Sequence, residues 1–199
     1  MPFDPHPVLL EGRHVRLEPM TLAHVPALLA AAEEASEIFR YLMIPPLKGL
    51  EDTAAWVKEA LAAKAAETEV PFVTVRRSDG MVVGSTRYID IRRAHRGLEI
   101  GWTWITPDAQ RTAINTEAKY LMLKHAFEEQ GALRVQLKTD ANNAKSRAAI
   151  LRIGATFEGI LRKQLVRPHD GYQRDTAMFS ITDVEWPAAK AKLEAMMKR

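Results

Sequence analysis

The stretch EIGWTWITPDAQRTAINTEAKYLMLKHAFEEQG, residues 99–131, decides the reading of the chain. A β-branched and aromatic run ends at Thr106-Pro107, a short polar loop QRTAIN follows, and an amphipathic segment begins near Asn115-Thr116. Ile114, Ala118, Leu121, Met122 and His125 recur at helical spacing as one stripe, while Glu117, Lys124 and Glu128 fall on the other side. Asn115 or Thr116 is the expected cap and Gly131 the expected stop. A strand, a tight loop and a helix N-terminus aim several backbone N–H groups and the positive end of a helix dipole at one point. An anion suits that point, phosphate above all. Arg111 adds a positive charge in the loop.

Outward from this stretch, the pattern alternates between strands and helices. Residues 8–20 read as two strand pieces around Glu11-Gly12, Thr21 caps a helix to about Glu34, and Glu51–Thr68 forms an alanine-rich second helix. Between them, SEIFRYLMIPPLKGL (36–50) is too irregular for a regular element and too apolar for a solvated loop. It reads either as core filler or as one wall of a cleft. PFVTVRR and MVVGSTRYIDI flank Ser78-Asp79-Gly80, a strong hairpin signal. After Gly131 come a strand (133–139), a short helix (144–153), a hairpin turning at His169-Asp170-Gly171, and a last helix capped by Asp183. The economical arrangement is α/β in the α+β sense. It has a mixed, mostly antiparallel central sheet flanked by helices, with a parallel pair around the central βαβ unit. One domain over residues 1–199 is expected, with a C-terminal helix at about 183–197.

Composition narrows the function. The 199 residues are 47% hydrophobic, enough for a packed core, and 28 basic against 25 acidic residues leave a net charge of only +3. So even a balance argues poorly for nucleic acid. Zero cysteines rule out disulfides, thiolate metal sites and a cysteine nucleophile. The six histidines show no metal-ligand spacing, so no metal is expected. The amino-terminal residues lack a signal-peptide pattern and no run reaches membrane-spanning length. The expectation is therefore a cytoplasmic protein with neither nucleic acid nor a membrane as partner. Arg92-Arg93-Ala94-His95-Arg96, the one basic cluster, reads as a solvated turn.

Three stretches resemble the GNAT superfamily of acyl-CoA-dependent N-acetyltransferases, within it the branch of the ribosomal-protein N-terminal alanine and serine acetyltransferases. LEIGWTWITPDAQRTAINTEA is similar to the family's strand, its Q-x-x-G-x-G/A pyrophosphate loop and its T-E-A. DANNAKSRAAILRIGA is similar to the D-x-x-N-x-x-S helix. EGILR, RDTAMFSI and EW are similar to the branch's closing strands. The resemblance implies an acetyl group moved from acetyl-CoA, the cosubstrate, to a primary amine by direct attack. Backbone amides across Gln110, Arg111, Thr112, Ala113, Ile114 and Asn115 would hold the pyrophosphate, and Trp104, Ile105 and Thr106 would run beside the pantetheine. Asn143 and Ser146 would lie near the sulfur, Ser146 as acid, and Glu99 would be the base, with Glu158 and Asp175 in reserve. Asp175 reads equally as a partner for Arg174 or Arg162. The acceptor side would comprise Phe39–Leu50, with Tyr41 as a substrate contact, and Arg167–Arg174.

Departures from the pattern are specific. Ala113 stands where the loop usually has glycine and Asn115 where it has glycine or alanine, and Ile150 replaces a tyrosine that serves many relatives as acid, which removes tyrosine acid chemistry there. The acceptor stays open among protein N-termini, polyamines and aminoglycoside-like amines. A CoA-binding sensor or partner-binding module without catalysis is the alternative, and a homodimer is compatible with the resemblance and the exposed apolar strand content.

Overall fold

The structure, a computed structural model, describes residues 3–198; residues 1, 2 and 199 of the expected domain lie outside it. Strands β1 (Leu10–Glu11) and β2 (Val15–Pro19) lead through a 3₁₀ turn at Leu22–His24 into α1 (Val25–Glu34). A second 3₁₀ segment (Ser36–Tyr41) precedes α2 (Gly49–Ala65). Then come β3 (Val70–Arg76), β4 (Val82–Arg92), β5 (Gly97–Ile105), α3 (Ala113–Lys124), β6 (Arg134–Asp140) and α4 (Ala144–Arg152). β7 (Thr156–Val166), β8 (Gln173–Thr182) and α5 (Trp186–Met197) close the chain.

The eight strands form one sheet in the order β1-β2-β3-β4-β5-β6-β8-β7. All pairs are antiparallel except β5 with β6, which match in parallel at Gly97↔Arg134, Leu98↔Val135 and Glu99↔Gln136. This is the expected architecture, and the parallel pair flanks the expected βαβ crossover. Pairing between β5 and β6 stops at Glu99, yet β5 stays on β4 as far as Ile105 and β6 stays on β8 as far as Asp140. The two strands therefore diverge into a wedge in the middle of the sheet.

Each face of the sheet buries a separate core. On one face Tyr88, Leu98, Ile100, Val135, Leu137 and Phe179 pack with Met122 and Leu123 of α3, Ile150 of α4 and Trp186 and Leu193 of α5. On the other, Val73, Val75 and Trp104 meet Leu28, Phe39, Leu47, Trp56 and Val57 from α1, α2 and the segment between them. The apolar 36–50 stretch thus serves as core filler through Phe39 and Leu47, while Tyr41 stays half-buried at its rim.

Strict alternation would put Leu98, Ile100 and Trp104 on one face. A β-bulge prevents that. Register slips between Ser85 and Arg87, and Trp102 takes a left-handed φ of +52°. The extra residue inverts the alternation, so Trp104 enters the α1/α2 core and Thr103 turns to the α3 side.

Several expectations need correction. Helix α3 begins at Ala113, earlier than expected, and its cap is Thr112, whose Oγ accepts from Ile114 N at 3.2 Å. Asn115 and Thr116 are already inside the first turn. Glu117 lies buried instead of on a solvent face. Its carboxylate accepts from the backbone N–H groups of Arg13 (2.8 Å), His14 (2.6 Å) and Val15 (2.9 Å), fastening α3 to the β1–β2 turn. Gly12 leaves room for it: a Cβ there would sit 2.4 Å from the Glu117 carboxyl carbon. The last helix starts at Trp186, because Asp183 binds its neighbour Val184 N and Glu185 instead ties back to Thr182. Gly131, with φ +68°, ends the α3 segment as expected, after one π turn over His125–Glu129.

Candidate active site

The loop between β5 and α3 sets the geometry of one end of the wedge. Thr106-Pro107 leaves the strand, Ala109 N and Gln110 N close a 3₁₀ turn onto Thr106 O and Pro107 O, and Arg111 takes φ +60°. The left-handed residue is thus Arg111. Ala113 and Asn115 carry no positive φ, so at these places the absent glycines cost no backbone strain. Among the described residues, no acceptor meets the N–H of Arg111, Thr112 or Ala113. The Thr112 side chain occupies only the Ile114 N–H. Three backbone donors and a helix N-terminus therefore remain for an anion, and a diphosphate suits their number and sign.

Along the wedge, Thr106 N donates to Val83 O on the β4 side at 2.8 Å. Successive N–H groups point to opposite sides of a strand, so those of Ile105 and, two back, Thr103 face the gap. An extended amide chain such as pantetheine can pair there as an added strand. The Trp104 side chain, in contrast, is buried in the α1/α2 core.

Opposite this edge lies the start of α4. Asn143 caps it, Oδ1 accepting from Ser146 N at 3.0 Å. The Ser146 hydroxyl is half-buried and has no partner among the described residues, which leaves it free to donate.

Glu99 sits where pairing between the strands ends. It is 1% exposed, and its Oε2 meets Lys138 Nζ at 3.1 Å and Gln136 Nε2 at 3.0 Å. Its Oε1 turns toward Gly101, where a Cβ would stand 2.9 Å away. Gln136, Lys138 and Asp140 share one face of β6 with Thr176 and Arg174 of β8. Asp140 Oδ2, Thr176 Oγ and Arg174 Nε are buried without partners among the described residues. Burial lowers the Arg174 guanidinium pKa, opposed by Asp140 and Glu99. Alternation in RVQLKTD announces these polar β6 positions; nothing in the sequence announces that they meet Glu99.

The reserve bases are engaged elsewhere. Glu158 forms an ion pair with Arg134 and accepts from Ser180 Oγ at 2.8 Å, and the Arg134 hydrogen bond holds its carboxyl below the ordinary range. Asp175 accepts from the backbone N–H of Lys163 at 2.7 Å, and it pairs with neither Arg174 nor Arg162 among the described residues. Of the two stretches expected to form the acceptor side, the β7–β8 turn leans on the segment carrying Tyr41, Arg167 donating to Arg40 O. The basic turn 92–96 is consumed internally: Arg92 binds Gln136, Arg93 binds Asp4, and Arg96 binds Gly131 O. Among the described residues no group could hold a metal ion, and no helix is long and apolar enough to cross a membrane.

Lys119 escaped the sequence reading altogether. It is buried, has no carboxylate partner among the described residues, and donates to Thr103 Oγ at 2.6 Å and Thr86 Oγ at 3.3 Å. Desolvation brings its pKa down from 10.5 to about 7. Between those values the unfolded chain binds the extra proton, so this lysine's contribution to stability rises with pH. At full titration the effect is about 4–5 kcal/mol. Urea unfolding of wild type and Lys119→Met at pH 6 and pH 9 checks this. The wild type gains on the variant as pH rises, and a pH-independent difference would contradict the burial argument.

Residues 14–156 match the family model described as an acetyltransferase (GNAT) domain. This chain belongs to the GNAT acetyltransferase family. A Bacillus subtilis protein named as a ribosomal N-acetyltransferase, YdaF, is 32% identical over 112 residues, covering 56% of this chain and 60% of that protein. The crystal structure of a GCN5-related N-acetyltransferase from Brucella melitensis superposes with a TM-score of 0.91 at 32% identity, over 98% of this chain and 87% of that one. At the level of fold alone, the microcin C7 self-immunity acetyltransferase MccE, solved with acetyl-CoA and AMP, gives a TM-score of 0.77 at 19% identity, over 86% and 93% of the two chains. Members of the GNAT family use acetyl-CoA, and the unclaimed amides and diverging strands of this chain fit it.

Proposed function

We infer that the protein moves the acetyl group of acetyl-CoA to a primary amine bound on the polar side of the wedge, by direct attack. The observation that carries this is the divergence of β5 and β6 immediately beside three unclaimed N–H groups at the start of α3. The loop around Gln110–Asn115 holds the pyrophosphate, and the gap-facing edge of Trp104–Thr106 holds the pantetheine. Asn143 and Ser146 stand at the sulfur.

In this reading the carbon–nitrogen bond forms as the carbon–sulfur bond breaks. Glu99, through its free Oε1 and a water, takes the proton from the amine, and the Ser146 hydroxyl donates a hydrogen bond to the departing thiolate and relays to it a proton that the hydroxyl regains from water. The absence of cysteine agrees with a route lacking an acyl-thioester enzyme. The name of YdaF supports a protein N-terminus as the amine, received at the wall where the segment carrying Tyr41 meets the Arg167–Arg174 turn.

The test begins with calorimetric titration of acetyl-CoA, followed by mass spectrometry of alanine- and serine-initiated peptides and of spermidine. Absence of binding would sink the reading. Ala113→Pro sharpens it. Proline at the first helical position is well tolerated, and Thr112 before it is already extended. The substitution removes one N–H from the nook and leaves the helix. Acetyl-CoA affinity falls about 10–100-fold, the loss of one charge-assisted hydrogen bond, while the melting temperature holds.

A further inference from the structure

The bulge at Trp102 raises a question of mechanics. A tryptophan in the left-handed region is strained and persists only where its surroundings leave no alternative. Two buried basic side chains flank the bulge, one against the Trp102 ring and one against Thr103. On the α1/α2 face the Arg87 guanidinium lies 4.8 Å from the Trp56 ring centroid and 5.0 Å from that of Trp102, with Glu69 at 2.8 Å. On the α3 face Lys119 closes a triangle with Thr103 and Thr86, whose hydroxyls are themselves 2.8 Å apart. The residues immediately after the bulge are those whose N–H groups face the gap.

We propose that Lys119 is a positioning residue for acetyl transfer, pinning Thr103 from behind so that the bulged strand presents its N–H groups to the thioester oxygen. This rests on the function inferred above. A lysine buried without a counter-charge is a costly way to hold a strand if packing were the only need. Its donors fix Thr103 in either protonation state, because an uncharged amine keeps two N–H groups for the two hydroxyls.

Lys119→Met keeps length and removes the donors. The expected result is an unusual pair: a variant at least as heat-stable as wild type near neutral pH, whose kcat is lower by about tenfold or more. Its acetyl-CoA Kd stays within about threefold of wild type. The infrared stretch of the thioester carbonyl in bound acetyl-CoA reports the same thing without needing the right amine. Wild type shifts it to lower frequency, and the variant gives most of that shift back. Thr103→Val reproduces the loss, and the double variant is no slower than the worse single one, because both remove one contact. An unchanged kcat and carbonyl frequency in Lys119→Met overturns the proposal while leaving the transferase reading intact. So does a loss of kcat matched by equal losses of affinity and melting temperature, which would mark a merely structural lysine. Failure of wild type to bind acetyl-CoA overturns both.

Discussion

Glu99→Gln lowers acetyl transfer by about 10²–10⁴-fold, the usual worth of a general base, and leaves the Kd for acetyl-CoA within about threefold. The amide is isosteric and can still meet Lys138 and Gln136, so the packing around Gly101 is kept and only proton acceptance is lost. Single-turnover rates with a saturating peptide or polyamine, set beside calorimetric titration of acetyl-CoA, separate the two quantities. A variant turning over like wild type removes Glu99 from the mechanism. The alternatives are then Asp140, whose Oδ2 has no partner among the described residues, and Asp90, which shares Gln136 Nε2 with Glu99, because Glu158 is held by Arg134 and Asp175 by the Lys163 amide.

The second large effect is on stability. Glu117→Gln replaces an acceptor-only carboxylate with a group that has one acceptor oxygen and an NH₂ aimed at backbone donors. Three N–H groups of the β1–β2 turn then compete for a single oxygen. Leaving a buried donor unsatisfied costs about 1–3 kcal/mol, so a total of about 3–5 kcal/mol is expected. In a chain of this size that lowers the melting temperature by roughly 10 °C. Because Glu117 lies in the first turns of α3, whose N-terminus forms the anion nook, saturating acetyl-CoA raises the melting temperature of the variant by less than it raises that of wild type. A variant melting within a degree or two of wild type would show that the turn is held by other contacts. The glutamate of the family-like T-E-A thus fastens α3 to the β1–β2 turn.

Where the reading from sequence held, a strong local signal was present. Alternation and Asp79-Gly80 located β3 and β4, helical periodicity located α3 and Gly131 its end, and the strand–loop–helix spelled out at residues 99–131 is β5, its loop and α3. Where it slipped, two local options were nearly equal and a distant partner chose between them. Thr112, Asn115 and Thr116 can all cap a helix, and the 3₁₀ turn at Pro107–Ala109 settled on Thr112 by fixing where the chain re-enters a helix. Asp175 could have met an arginine, but a bulge in β7 placed the Lys163 amide in front of it. Glu117 read as a surface charge on a helix with one apolar stripe, and Lys119 drew no reading at all. The stripe is misleading because α3 is enclosed on several sides, packed against β1 and β2 as well as α5.

Taken alone, the sequence determined the elements and their order, the mixed sheet, and the strand–loop–helix at residues 99–131, because these follow from periods of 2 and 3.6 residues and from turn chemistry within a few positions. Only the tertiary structure decided that β5 and β6 part at Glu99, that Trp102 bulges, and that Lys119 and Glu117 are buried. Each of those depends on which surfaces meet across the sheet, and a buried charge is set by desolvation and by partners up to 104 residues away in the chain.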